Sequence, residues 1–382
     1  MDGFRGLATI AVVLFHMDHV SALQRMHASI GLGNLWPVLG FFFVISGFVL
    51  TLIYGQRLTD GRTVADFAIR RAGRLWPMHL FALGLFVCWE LVRAIWSAVA
   101  DRPDIVAFID GRSVGELARN ALLVHCWGIG RGFSWNAPSW TLSTELLAYA
   151  VFVAITLSIR RMDMRVLVAL GITVASGILY IHQAGVVKWS LSRVPWCLQG
   201  FFLGYLVCWM WQRWPVRSPL LGGAVEIGCA AGCALALFVG IEGVPTLLLW
   251  WVCVAGVVFS IANESSVVSR VLAWRPLRWL GDISLSVYVM HFPVILVLGK
   301  VLQPLAGMPG GVAEPGHAGA AVPVWLACAG VALLLALVVA IGALAHYYID
   351  APCRDGSARF ATRIRRGEIG WPRWALRRTG AR

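Results

Sequence analysis

Ten apolar runs of roughly 17–25 residues, separated by charged breaks, leave this chain few ways to fold. They fall at about 3–21, 36–55, 76–98, 139–159, 166–183, 194–212, 219–240, 244–262, 279–299 and 322–348. A run of that length crosses the hydrocarbon core as a helix whose backbone satisfies itself. The expected fold is an all-α, polytopic integral membrane protein with about ten transmembrane helices. Composition agrees: charged residues are 13%, against about 25% in a soluble domain. The first run carries Arg5 and His16 and is not followed by a small-residue cleavage site, so it is expected to stay in the mature protein.

An even number of spans puts both termini on one side. Arg57, Arg62, Arg70, Arg71 and Arg74 fall between spans two and three, and Arg160, Arg161 and Arg165 between four and five. Arg213 and Arg217 follow span six, Arg270, Arg275 and Arg278 follow span eight, and the segment from Arg354 onward is Arg-rich. All lie on one face, which the positive-inside rule makes cytoplasmic. The loop at about 99–138, of mixed charge, and the Gly/Pro-rich loop at about 300–321 then face outward. Residues 1–352 read as one membrane domain and 353–382 as a basic cytoplasmic tail.

The net charge of +13 is spread over the inner loops and tail. Contact with anionic lipid headgroups is therefore the simpler reading, and no nucleic-acid partner is expected. The cysteines lie mostly within spans, without CxxC or Cys/His spacing, so neither a metal site nor a disulfide framework is expected. Gly200-x-x-x-Gly204 and Gly228-x-x-x-Gly232 read as close helix contacts.

Four polar constellations interrupt this apolar chain. Arg5 and His16 stand eleven residues apart, which returns to within roughly 20° of the same helical face. One helix thus carries a fixed cation near its inner end and an imidazole deep inside, and such groups mark sites unless a neighbouring helix merely satisfies them. Glu145 lies about one and a half turns into span four, in the stretch Ser139-Trp-Thr-Leu-Ser143-Thr-Glu145. Either it pairs with His16, fixing a tautomer for general-base work, or it is a helix-terminal Glu paired with Arg131 or the helix dipole. In span nine, Ser284, Tyr288 and His291 share one face, with Pro293 expected to kink the helix beside them. That face either binds an acceptor hydroxyl or satisfies itself between helices. Arg70, Arg71 and Arg74 crowd like charges on one patch, which serves either as a topology signal or as a phosphate site.

In order along the chain, these segments resemble the membrane-bound acyltransferase family 3, integral membrane O-acyltransferases of bacterial envelope sugars. Asp2-Gly-Phe-Arg5-Gly-Leu with His16 resembles the opening DGLRG…H, and Phe42-Phe-Val-Ile-Ser-Gly-Phe48 the FFVLSGF of the second span. Arg70-Arg-Ala-Gly-Arg-Leu-Trp-Pro77 resembles RRxxRxxP, and Trp140-Thr-Leu-Ser-Thr-Glu145 resembles W-S-L-S-x-E. Ile283 to Pro293 resembles ISYSLYLxHxP, and Tyr348-Ile-Asp-Ala-Pro352 the closing Y-x-E-x-P. Any one match is weak; the ordered set over residues 2–352 is specific. Gly40 stands where many members carry Asp, Asp350 replaces a Glu, and the chain begins at the motif itself.

The resemblance implies His16 as catalytic base or transient acyl carrier, oriented by Glu145. It implies Arg5, Arg70, Arg71 and Arg74 on the donor, acyl-CoA, which acts as co-substrate with no bound cofactor or metal. Ser143, Ser284, Tyr288 and His291 are acceptor-side candidates, and the acceptor is a carbohydrate or glycolipid at the bacterial inner membrane. Acetyl is the expected acyl group. A transporter or flippase is the competing class, since buried His, Glu and Arg also line substrate pathways. Inverted-repeat symmetry would favour transport, and none is visible in the sequence.

Overall fold

The computed structural model describes residues 1–20, 23–184, 193–216, 218–241, 243–263, 267–305 and 323–368. Its α-helices, in chain order, are α1 (Asp2–Phe15), α2 (Gln24–Ser29), α3 (Leu39–Tyr54), α4 (Gly61–Val99), α5 (Val114–Ala121), α6 (Trp140–Ser158), α7 (Met162–Ala184) and α8 (Arg193–Arg213). They continue with α9 (Pro219–Val239), α10 (Val244–Ala262), α11 (Val267–Leu272), α12 (Arg275–Asp282), α13 (Ser284–Leu305), α14 (Val324–Ala345) and α15 (Ala351–Arg365). The described residues contain no strand. The chain divides into two compact units, one of Met1–Ile45 with Met210–Leu344, the other of Ser46–Trp209 with Ala345–Arg382.

Among the described residues, eight helical stretches are long and apolar enough to cross a membrane, or nine if the bent pair α12–α13 is one span. The expected count of ten is not reached because the first run is shorter as a helix than as a sequence. The 14-residue α1 rises only about 21 Å. It gives way at His16 to a 3₁₀ turn, His16–His19. There the His16 ring bonds back to the Val12 carbonyl, and the His27 Nε2–H donates to the carbonyl of Phe15 at 2.8 Å. Residues 306–322, most of the expected outward loop at 300–321, lie outside the described residues.

The first unit is built around α1. Val13, Met17, Val20 and Leu23 pack with Ile283, Val287 and Ile295 and with Ala327, Leu334 and Val338 of α14. Contact with α12 is backbone on backbone. A Cβ on Gly6 would fall 2.9 Å from the Gly281 nitrogen, and one on Gly281 would fall 2.1 Å from the Asp2 carbonyl oxygen. The glycine closing the Asp2-Gly-Phe-Arg-Gly motif is thus a packing requirement. Helices α12 and α13 meet at 66°, and α13 runs unbroken through Pro293. The kink expected at Pro293 is instead a corner at Ile283.

The second unit is organised by α4, 39 residues long and so about 58 Å. Asp60 starts it with a capping box, accepting from Arg62 N and Thr63 N at 3.0 and 2.9 Å while Thr63 Oγ1 accepts from Asp60 N. The arginine segment is therefore mid-helix, continuous through Pro77 with the membrane span. Helix α15 packs along α4. A Cβ on Gly73 would land 1.9 Å from Ser357 Oγ, and Arg70 Nη2 donates to Thr362 Oγ1 at 2.7 Å. Residues 353–365 of the expected tail are consequently a docked helix. It is joined to α14 by a π turn in which His346 Nδ1 and Asp350 Oδ2 meet at 2.9 Å.

The 101–139 segment of this unit is held by buried carboxylates. Glu90, fully buried, accepts from Arg112, Arg93 and the Phe108 amide at 2.6, 2.9 and 3.1 Å. Glu116 accepts from Arg119 and Ser134, and Ser134 accepts from the Asn120 amide. All five described non-glycine residues with positive φ, Asp101, Phe108, Asp110, Leu123 and Trp135, lie here. Such backbone costs about 1–3 kcal/mol per residue and persists where its surroundings over-determine it.

Candidate active site

In the first unit the imidazole of His16 sits at the helix-to-3₁₀ junction and is half-buried. Its Nδ1 lies 3.0 Å from the Val12 carbonyl oxygen. A carbonyl only accepts, so Nδ1 carries the proton and Nε2 holds the lone pair. Four rings wall the imidazole: Phe15 and Phe292 edge-on at 4.7 and 5.7 Å, His19 stacked at 6.1 Å and His291 tilted at 5.0 Å between centroids. Phe292 also packs edge-on against His19 at 5.3 Å. His291 is fully buried, and its Nε2 is 3.3 Å from His16 Nδ1. Tyr288, one turn before His291, touches its ring at 5.5 Å and that of Phe42 at 6.1 Å. Ser284 is buried at the start of α13. Arg5 is half-buried on α1, its carbonyl accepting from Thr9 Oγ1 at 2.9 Å.

In the second unit Glu145, on the second turn of α6, accepts a short hydrogen bond from Ser46 Oγ and another from the hydroxyl of Tyr149, one turn on. Arg71 and Arg74 lie within electrostatic reach of that hydroxyl. The guanidinium of Arg71 stands over the rings of Tyr54 and Phe67, at 5.9 and 6.0 Å, and its buried Nε has no hydrogen-bond partner. Arg70 differs from these two, since both Asp66 carboxylate oxygens accept from its Nε at 3.1 Å. The three crowded charges of the sequence thus become one paired arginine and two facing a carboxylate–tyrosine pair. The Ser143 hydroxyl accepts from the Cys126 amide at 3.2 Å and its carbonyl from Trp127 Nε1 at 2.8 Å, anchoring the 101–139 segment.

Within its own unit Glu145 is partnered by two hydroxyls, and within its own unit His16 is partnered by a carbonyl and a second imidazole. Ser46 and Tyr149 were missed in the sequence. The available signal was Tyr149 four residues after Glu145 on one helix face. Arg193 was missed as well; its guanidinium lies 3.2 Å from the ring centroid of Phe133 and 4.7 Å from that of Trp140. In the 101–139 segment His125 is fully buried beside Ser139 Oγ, at 3.4 Å. Burial, and then neighbouring His79, push its pKa down to about 3, against the opposing hydrogen bond to the Arg119 carbonyl.

Comparison with known proteins matches residues 1–343 to the acyltransferase domain family. The peptidoglycan O-acetyltransferase OatA of Listeria monocytogenes is 24% identical over 342 residues, covering 79% of this chain and 50% of that protein. The exopolysaccharide production protein ExoZ of Rhizobium meliloti is 27% identical over 313 residues, 80% of this chain and 87% of its own. The O-acetyltransferase OatA of Staphylococcus aureus is 22% identical over 331 residues, 78% of this chain and 51% of its own. The chain therefore spans about half the length of the two OatA proteins. No solved structure matches it.

Proposed function

Because the chain belongs to the acyltransferase domain family, we propose that it is a membrane O-acyltransferase moving an acetyl group from cytoplasmic acyl-CoA to a hydroxyl of a cell-envelope carbohydrate. The names of its relatives support that acceptor class, one for peptidoglycan O-acetylation and one for exopolysaccharide production. The protein works in the bacterial inner membrane, with the arginine-rich segments and both termini on the cytoplasmic side.

The observation that carries the reading is the His16 imidazole, whose Nδ1–H is tied to the Val12 carbonyl so that the lone pair at Nε2 is left for chemistry. The acceptor oxygen bonds to the acyl carbon as its proton passes to His16 Nε2. The carbon–sulfur bond breaks, and the same proton goes to the departing sulfur. One group serves as base and then acid, and no proton is left over. Arg5, Arg71 and Arg74 act on the donor, where guanidinium forks suit its phosphates. Ser46, Glu145 and Tyr149 set the positions of Arg71 and Arg74, while Arg70, held by Asp66, ties α4 to α15. Tyr288 and Ser284 remain acceptor-side contacts.

The test is acetyl transfer by the purified protein in proteoliposomes, with radiolabelled acetyl-CoA and either peptidoglycan fragments or exopolysaccharide. Label should enter an alkali-labile ester on the polysaccharide. Movement of intact glycan across the bilayer without ester formation would favour a transporter.

A further inference from the structure

The side chain facing His16 Nδ1 is a second imidazole, and the orientation of that ring is determined independently. His291 Nδ1 makes a short hydrogen bond to the carbonyl of Tyr288. A carbonyl has no proton to give, so Nδ1 of His291 is the protonated nitrogen and its Nε2 presents a lone pair. That lone pair lies 3.3 Å from His16 Nδ1, which its own contact with Val12 has already assigned as the donor. Two separate backbone carbonyls thus impose compatible tautomers on the two rings, and the proton between them belongs to His16.

We propose that His291 is the positioning residue of His16. It accepts the Nδ1–H, holds the ring in the tautomer that bares Nε2, and stabilises the imidazolium formed when Nε2 takes the acceptor proton. This rests on the reading of His16 as the base. His291 takes up no proton itself; its lone pair stays an acceptor through the cycle. The role falls to an imidazole on α13. Phe292, edge-on to both His16 and His19, closes the apolar side of the pair. The other titratable groups near the His16 ring are Asp18 and His19 on its own turn.

The test uses the full-length protein in proteoliposomes, with acetyl-CoA and a polysaccharide acceptor. His291→Gln places an amide oxygen near the position of Nε2, an acceptor that cannot hold a proton; His291→Leu places none. The leucine variant should lose at least about tenfold in kcat, part of the hundredfold or more that a general base contributes. Its KM for acetyl-CoA should stay unchanged, and the glutamine variant should recover most of the loss. Glutamine as inactive as leucine, with both proteins folded by size exclusion, overturns the acceptor role, and so does full activity in leucine. Should leucine prevent folding, the wild-type protein still decides. In ¹⁵N-histidine spectra the signal assigned by its loss in His16→Ala must report a protonated Nδ1, and a protonated Nε2 there overturns the proposal. An active His16→Ala would instead remove the underlying reading of His16, which separates the two failures.

Discussion

Replacing Glu145 by Leu removes the acceptor of two hydroxyls, and the two should respond differently. Ser46 is in mid-helix and can turn its hydroxyl to the carbonyl one turn earlier, as serines in membrane helices do, at little cost. Tyr149 cannot. Its side chain is 3% exposed, its hydroxyl bonds to Glu145, and the ring is fixed by edge contacts with Phe67 and Phe201 at 5.8 and 6.1 Å. A buried hydroxyl left without a partner costs about 1–3 kcal/mol. Glu145→Leu should therefore destabilise the protein by about that amount, and Tyr149→Phe by about 1 kcal/mol, the net value of one hydrogen bond. In the double variant the stranded hydroxyl is gone, so the combined loss should fall short of the sum of the singles. The measurement is a double-mutant cycle by steric trapping or reversible unfolding in detergent. Strict additivity would show that Tyr149 does not depend on Glu145 and would refute the assignment of the pair.

Arg71→Ala and Arg74→Ala should mainly raise the KM for acetyl-CoA, with Lys rescuing only in part because bidentate contacts are lost; a changed acceptor KM alone would assign them to the other substrate. Gly73→Leu should push Ser357 aside and release α15, exposing Arg354 to Arg365 to trypsin, whereas an unchanged digestion pattern would contradict the docking. His125 is neutral in the folded protein down to about pH 3, while the unfolded chain protonates near 6.5. Its contribution therefore makes stability fall by about 1.4 kcal/mol per pH unit as pH drops from 6.5 toward 3. His125→Phe should flatten that slope, measured by unfolding across this range, and an unaltered slope would show that another group sets it. A cysteine placed at Asp104, with Cys328 and Cys88 replaced, should react with an impermeant thiol reagent from outside intact cells. Exposed Cys353 should react only after the membrane is opened, and the reverse order would invert the topology.

The membrane class was legible in the apolar runs because length and charge exclusion act locally. Nine of the ten runs have long helical counterparts; the first fails because bonds from His16 and His27 to backbone carbonyls end α1, and no periodicity encodes them. Asp60 and Thr63 carry a readable cap, yet the apolar run begins only near residue 76, where α4 is already well under way. The basic character of the chain beyond Cys353 was plain. Its docking was not, because it depends on the missing Cβ of Gly73 meeting Ser357 across the interface. At the site, His16 and His291 were each visible as polar residues on apolar helices, but nothing in sequence spacing brings residues 16 and 291 together. Glu145 was correctly noticed as needing a partner. Its bonds to Ser46 and Tyr149 were not legible, because sequence reasoning seeks a charge for a buried carboxylate, although two hydroxyls satisfy one as well.

The central claim is that His16 Nε2 moves the proton in acyl transfer, and the most direct measurement is the turnover of His16→Ala. Purified wild-type and variant protein would be compared in proteoliposomes for transfer of labelled acetyl from acetyl-CoA to envelope polysaccharide, with size-exclusion profile and donor binding measured on the same samples. The account predicts a folded variant that still binds acetyl-CoA and transfers at least about a hundredfold more slowly, the lower end of what a general base supplies. Wild-type turnover by folded His16→Ala would contradict it.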